Sequence, residues 1–175
     1  MKRSISTWQM IGFLFTAAAG TLLHFLYDWS GQSVLIAPFS AVNESIWEHL
    51  KLLYFPMLLF ALVEDRFFAD TYRNFWCVKL VGMGAGLLLI PTLYYTYTGA
   101  LGVKADWLNI TIFFVTAAYS YYLETRLLQK NAGKCLPWVA LGLLLLVGVL
   151  FVALTFLPLH IPLFQDPQTG SFGRI

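Results

Sequence analysis

The sequence predicts an all-α integral membrane protein that folds as a bundle of five transmembrane helices. Of the 175 residues, 59% are hydrophobic and only 11% are charged, which is more apolar surface than one soluble core of this size can bury. All six tryptophans lie near the ends of apolar segments, as is typical of a membrane interface. The predicted helices cover residues 8–27, 43–63, 76–97, 107–124 and 136–157, each close to the length of a tilted transmembrane helix.

Positively charged residues predict how the helices are oriented. They collect before the first segment, after the second and after the fourth: Lys2, Arg3, Arg66, Arg73, Arg126, Lys130 and Lys134. The opposite side has only Lys104 and Arg174. The positive-inside rule therefore predicts a cytoplasmic N-terminus and an external C-terminus in a multi-pass protein of the bacterial cytoplasmic (inner) membrane. The first segment is too long for the apolar region of a secretory signal, so we interpret it as a helix that is retained.

The composition also limits the partners of the protein. The net charge is +2 and no basic run suits a nucleic acid, so the predicted surroundings are a lipid bilayer, and the oligomeric state is left open. Cys77 and Cys135 lack a paired spacing and lie at predicted cytoplasmic ends. We therefore expect neither a disulfide nor a thiolate metal site, and interpret both cysteines as packing residues.

A dense polar motif opens the second predicted helix: Asn43, Glu44, Glu48, His49 and Lys51. The apolar run that follows, residues 52–63, is about 18 Å long as a helix, whereas the hydrocarbon core of a bilayer is about 30 Å thick. Part of the motif is therefore predicted to lie inside the membrane. Ionisable groups at that depth normally face the interior of the bundle and mark a functional site.

Local geometry predicts which of these side chains meet. Ser40 is the predicted N-cap of the second helix, and Glu44, Glu48 and Lys51 then follow one another at i, i+4 and i+7 on one face. His24 lies near the end of the first helix, at about the depth of Glu48. Because the connecting loop is short, the two helices are predicted to be antiparallel neighbours that bring His24 to the charged face.

Three interpretations of this cluster remain open. In the first, Glu48 and Lys51 form a structural salt bridge. In the second, the cluster binds a small ligand or an ion. In the third, His24, His49 and Glu48 hold a metal, with zinc as the candidate, and the remaining glutamate acts as a general base in hydrolysis. Neighbouring helical side chains point about 100° apart, which weighs against Glu48 and His49 binding one ion unaided.

The C-terminal segment, residues 158–175, is predicted to be non-helical. Turn signals at Asp166-Pro167 and Thr169-Gly170 favour a compact lid over the outer mouth of the bundle. His160 and Asp166 would then approach the polar cluster from above. The alternative is an ordered tail that lies on the lipid headgroups.

Polar and small residues of the third and fourth helices have simpler predicted roles. Lys79 is expected to extend its ammonium group to the inner interface. Gly82 and Gly86 have the spacing that allows helices to approach closely. On the fourth helix, Asn109 is the one residue of a polar stripe that is near enough to line the outer cluster.

The chain resembles an uncharacterised family of small bacterial polytopic membrane proteins, a domain of unknown function. The resemblance rests on residues 24–30, on the N-E-S-x-W-E-H-x-K motif within residues 39–51, and on residues 162–173. It covers the whole chain and implies no activity, since the family has none assigned.

The sequence therefore predicts a membrane protein with an outward-facing intramembrane site for a small ligand or ion. The predicted site residues are His24, Asn43, Glu44, Glu48, His49, Lys51, Asn109, His160 and Asp166. A metal-dependent hydrolase of a lipid or cell-envelope substrate is one alternative. A structural or partner-binding membrane subunit is the other.

Overall fold

The structure, a computed structural model, describes residues 4–102, 105–132 and 135–174. The described chain forms five α-helices: α1 (Ile5–Trp29), α2 (Ile46–Phe68), α3 (Phe75–Leu101), α4 (Asp106–Gln129) and α5 (Pro137–Phe156). A short 3₁₀ helix, Pro162–Phe164, follows α5. The all-α prediction is confirmed for this part of the chain, although α2 and α4 extend beyond their predicted ends at residues 63 and 124.

Four of the helices, α1, α2, α3 and α5, are long and apolar enough to span a membrane. The sequence predicted five such helices. The remaining described helix, α4, is not apolar enough to be counted with these four, because it carries Asp106, Glu124 and Arg126 together with a polar face. That face is turned toward α1 and α3, where Thr116 and Ser120 are fully buried.

Helix α2 lies at the centre of the bundle. It contacts α1, α3 and α5, while α4 contacts α1 and α3. Of the most apolar stretch of α2, 67% is buried, against 22% for α1 and for α5. The fully buried Tyr54 packs against Phe151 of α5 and donates a hydrogen bond to the carbonyl of Leu144. Three charged residues of α2, Glu48, Lys51 and Glu64, are accordingly at most 2% exposed.

The bundle has two distinct ends. At the histidine end, α1 stops, α2 begins, and residues 158–174 fold over the start of α2. At the cysteine end, α2 and α4 stop and α3 and α5 begin. Of the residues that predicted the orientation, Lys2, Arg3, Lys104 and Lys134 lie outside the described residues.

Cys77 and Cys135 form a disulfide at the cysteine end, with their Cα atoms 5.8 Å apart. The prediction that they are unpaired is therefore wrong. Cys77 lies in the first turn of α3 and Cys135 lies two residues before the start of α5, and these two helices are in contact. Chain spacing alone did not reveal this proximity, because the two cysteines are brought together only by helix packing.

The redox state of Cys77 and Cys135 provides a test of the predicted orientation. Lys and Arg predict that the cysteine end faces the cytoplasm, where thiols are kept reduced. We therefore expect both thiols to be free in cells that are alkylated rapidly, and the disulfide to form in oxidised purified protein. Mobility shifts with a maleimide–polyethylene glycol reagent measure both states, and Cys135→Ser provides the single-thiol control. A disulfide in the alkylated cells would contradict a cytoplasmic cysteine end.

Candidate functional site

The start of α2 sets the geometry of the polar motif. The Ser45 hydroxyl accepts a hydrogen bond from the Glu48 backbone N–H at 3.4 Å and caps the helix. Asn43 Oδ1 in turn accepts the Ser45 N–H at 2.9 Å. Since the helix begins at Ile46, Glu44 precedes it and does not share a helical face with Glu48.

Ser40 is not the N-cap that the sequence predicted. Its hydroxyl donates to the Leu23 carbonyl and accepts the Tyr27 backbone N–H at 3.0 Å. These bonds attach the segment between α1 and α2 to the last turns of α1. Ser40 consequently holds the polar motif next to α1 instead of starting α2.

His24, Glu44 and His49 form a cluster at the histidine end. Glu44 lies between the two histidines, with Oε2 3.5 Å from His49 Nε2 and Oε1 4.0 Å from His24 Nε2. The two imidazole rings are 5.3 Å apart between centroids. All three side chains are partly exposed, at 32% for His24, 40% for Glu44 and 29% for His49, so an ion from solution has access to them.

The hydrogen bond of His49 determines which of its ring nitrogens carries the proton and which has a free lone pair. His49 Nδ1 is 2.8 Å from the Ser45 carbonyl, and a carbonyl only accepts, so Nδ1 carries the proton. In the neutral ring, Nε2 then presents its lone pair toward Glu44. This Nδ1–H to carbonyl bond is the usual support of a metal-binding histidine. His24 Nδ1 is buried and has no hydrogen-bond partner among the described residues.

Glu48 and Lys51 form a separate, closed ion pair. Lys51 Nζ is 2.5 Å from Glu48 Oε2, and both side chains are at most 3% exposed. The other two ammonium protons bond to the Ala37 carbonyl and the Thr155 hydroxyl, each at 2.9 Å. Glu48 Oε2 also accepts the Val42 N–H at 3.0 Å. Because the lysine's three donors are all used, Lys51 has no donor left for a ligand.

The predicted metal ligands are therefore only partly brought together. His24 and His49 meet, but the carboxylate between them belongs to Glu44 and not to Glu48. The reason is that Glu48 follows the Ser45 cap and points into the bundle toward Lys51, while Glu44 lies in the preceding non-helical segment.

The C-terminal segment packs on this motif. Asn43 Nδ2 donates to the Gly173 carbonyl at 2.8 Å, and the Glu44 N–H donates to Asp166 Oδ2 at 3.4 Å. Trp47 stacks on Phe164 of the 3₁₀ helix, with centroids 4.5 Å apart. These contacts place the segment directly beside Glu44.

Two further predicted site residues lie apart from the cluster. The ring of His160 packs against Phe172, 4.8 Å between centroids. Asn109 Oδ1 accepts the Tyr97 hydroxyl at 2.6 Å, between α3 and α4. Asp166 is close to Glu44 but uses Oδ1 to accept two N–H groups of its own turn, which is a local structural role.

Sequence reasoning missed a second charged cluster, deep at the opposite end of the bundle. Lys79 Nζ lies 2.6 Å from Glu124 Oε2 and also pairs with Glu64 Oε2. Gln9 Nε2 donates to Glu64 Oε1 at 3.0 Å. All four side chains are at most 2% exposed, so the prediction that Lys79 extends to the interface is wrong. The available signal was that Glu64, Lys79 and Glu124 all lie near the predicted cytoplasmic ends of their helices.

Comparison with known proteins places the chain in a family without an assigned activity. The model of the Family of unknown function (DUF6512) matches residues 1–174, and the chain belongs to this family. No curated protein and no solved structure matches the chain. The predicted membership of a family of unknown function is thereby confirmed, and the family assigns no activity to the chain.

Proposed function

We propose that this member of the DUF6512 family is a multi-pass membrane protein that binds one divalent transition-metal ion, of the zinc type, at its histidine end. His24, Glu44 and His49 would be the ligands. The observation that carries the proposal is that one ligand atom from each of these residues lies within 4.8 Å of the other two. The Nε2 atoms of both histidines face the two oxygens of one carboxylate.

The ligand set favours zinc over magnesium or calcium. Two imidazole nitrogens and one carboxylate oxygen suit Zn²⁺ and similar ions, whereas Mg²⁺ and Ca²⁺ prefer oxygen ligands throughout. Zn–N and Zn–O distances of about 2.0–2.2 Å require the three ligands to move slightly toward one another. The three side chains are partly exposed, and Glu44 lies outside α2. Both features allow the ligands to make this movement.

Three protein ligands leave a fourth position for water or a small molecule. The Asp166 turn and the end of the C-terminal segment lie beside Glu44, where they would cover the ion on one side. A groove of about 200 Å³ at the same end of the bundle is lined by Tyr94, Tyr95 and residues of the C-terminal segment. Its lining does not include the three proposed ligands, so this groove is separate from the proposed ion site.

Binding is better supported than hydrolysis. The hydrolase alternative, as predicted from the sequence, made Glu48 a metal ligand and left Glu44 as the general base. Since Glu44 is the carboxylate that lies between the two histidines, the glutamate left for the role of general base is Glu48. That carboxylate is 2% exposed and is held by Lys51 and the Val42 N–H. A general base has to reach the proton that it abstracts, and Glu48 is occupied elsewhere.

Metal binding to the purified full-length protein tests the proposal. We expect one Zn²⁺, or one Co²⁺ with tetrahedral visible absorption bands, per chain by equilibrium dialysis. His24→Ala, His49→Ala and Glu44→Gln should each weaken binding by about 100-fold or more, because each removes a ligand. Saturating zinc at about 100 times the dissociation constant should stabilise the wild type by about 2.7 kcal/mol.

His160→Ala is the matched control, because it removes the remaining histidine of the chain, whose ring packs on Phe172 away from the cluster. It should bind zinc as tightly as the wild type. Equal binding by the wild type and the His24→Ala and His49→Ala variants would show that the cluster is an ordinary ion pair of Glu44 with its neighbours.

A further inference from the structure

The buried cluster at the cysteine end has an unequal number of charges. Two carboxylates, Glu64 and Glu124, face one ammonium group, Lys79. On α1 the facing side chain is Gln9, which is neutral, and on α4 Tyr121 directs its hydroxyl to Thr16 at 2.8 Å. If every group were ionised, the cluster would keep an excess negative charge at a position where Glu64 and Glu124 are both 0% exposed.

An uncompensated charge at such a position is costly, and buried acids commonly avoid it by binding a proton. The Glu48–Lys51 pair shows the contrast within the same bundle, because there one carboxylate meets one ammonium group and all lysine donors are used. Of these two buried clusters, the one with an excess carboxylate is therefore Glu64–Lys79–Glu124.

The hydrogen-bonding atoms of the cluster are incompletely used. Glu124 Oε1 and Gln9 Oε1 are buried and, within the described part of the chain, have no hydrogen-bond partner. If the Gln9 amide rotates by half a turn, its oxygen faces Glu64 Oε1, 3.0 Å away, and accepts a hydrogen bond from that atom when the carboxyl is protonated. The amide thus fits either protonation state of Glu64, depending on its orientation.

A groove lies beside this cluster. It has a volume of about 220 Å³, lies between α1 and α4, and is lined by Ser6, Gln9, Tyr121 and Thr125 among others. Gln9 is both a lining residue of the groove and a hydrogen-bond donor to Glu64. Gln9 therefore lies between the groove and the buried Glu64 carboxylate.

We propose that Glu64 and Glu124 share one exchangeable proton beside Lys79, so that the bundle contains an intramembrane proton-binding site reached through Gln9. The proton belongs to the pair, since two coupled carboxyls titrate together. The charge count of the cluster carries this inference, which does not rest on the metal site at the opposite end.

Infrared spectroscopy of the full-length protein at neutral pH tests it. The wild type should show the C=O band of one protonated carboxyl per chain, and the band should shift in D₂O because the proton exchanges. Glu64→Gln and Glu124→Gln should each abolish the band, since the remaining carboxylate then pairs one-to-one with Lys79. Glu48→Gln should leave it unchanged, because that carboxylate already has its own lysine.

Two further variants extend the test. Lys79→Met should raise the signal to two protonated carboxyls. Glu124→Asp keeps both acids and should shift the frequency of the band without removing it. This variant replaces the Gln variants in the test if they do not fold. A wild-type spectrum without the band would overturn the proposal, as would a band that survives in both Gln variants. A band that appears only when sodium is withdrawn would assign the site to a cation instead.

Discussion

Lys79→Met is expected to destabilise the protein by about 3–5 kcal/mol, because it leaves two buried carboxyl groups without their shared ammonium partner. Lys79 is 1% exposed and pairs with Glu64 of α2 and Glu124 of α4, so one side chain joins three helices. Unfolding by a denaturing detergent, followed by circular dichroism, measures the free-energy change.

The control for Lys79→Met is Lys130→Met, at the exposed end of α4, which should change the free energy of unfolding by less than about 0.5 kcal/mol. The triple variant Glu64→Gln, Lys79→Met, Glu124→Gln should recover most of the loss, because glutamine side chains of similar size are neutral without having to bind a proton at neutral pH. If Lys79→Met unfolds like the wild type, the ion pairs are not what holds α2, α3 and α4 together at this end.

The number and approximate limits of the helices were predictable because apolar runs of this length have few alternative structures. The proximity of His24 to the polar motif also followed from a short connection between two antiparallel helices. The residue at which α2 begins did not follow from the sequence. Ser45 rather than Ser40 caps α2, and this shift of five positions leaves Glu44 outside the helix, beside the histidines.

The second cluster was missed for a different reason. A lysine near the end of a predicted helix has two physical solutions: it extends to the interface, or it turns inward to acids on neighbouring helices. The choice depends on which helices adjoin α3, and a single sequence does not state that. The disulfide between Cys77 and Cys135 was missed for the same reason. Helices α3 and α5 are in contact in the fold, but they are not consecutive in the sequence.

Gly82→Ala and Gly84→Ala, two positions apart on α3, are expected to have effects of opposite sign. A Cβ at Gly82 would lie 2.3 Å from Glu124 Cγ and 2.5 Å from its Oε1, whereas a Cβ at Gly84 meets nothing within 4 Å. Glu124 cannot move aside freely, because its carboxylate is held by Lys79 at 2.6 Å. Gly82→Ala should therefore destabilise the protein by about 1–3 kcal/mol through overpacking.

Gly84→Ala provides the matched control and should raise the free energy of unfolding by about 0.5–1 kcal/mol, because alanine is the better helix former. The double variant Gly82→Ala, Glu124→Ala should show a coupling free energy of at least about 0.5 kcal/mol, since removing the glutamate side chain relieves the contact. Equal effects of the two single alanine substitutions would contradict the close approach of α3 and α4 at Gly82. That approach places Glu124 against Lys79. The geometry of the buried ion pairs therefore depends on the small size of the residue at position 82.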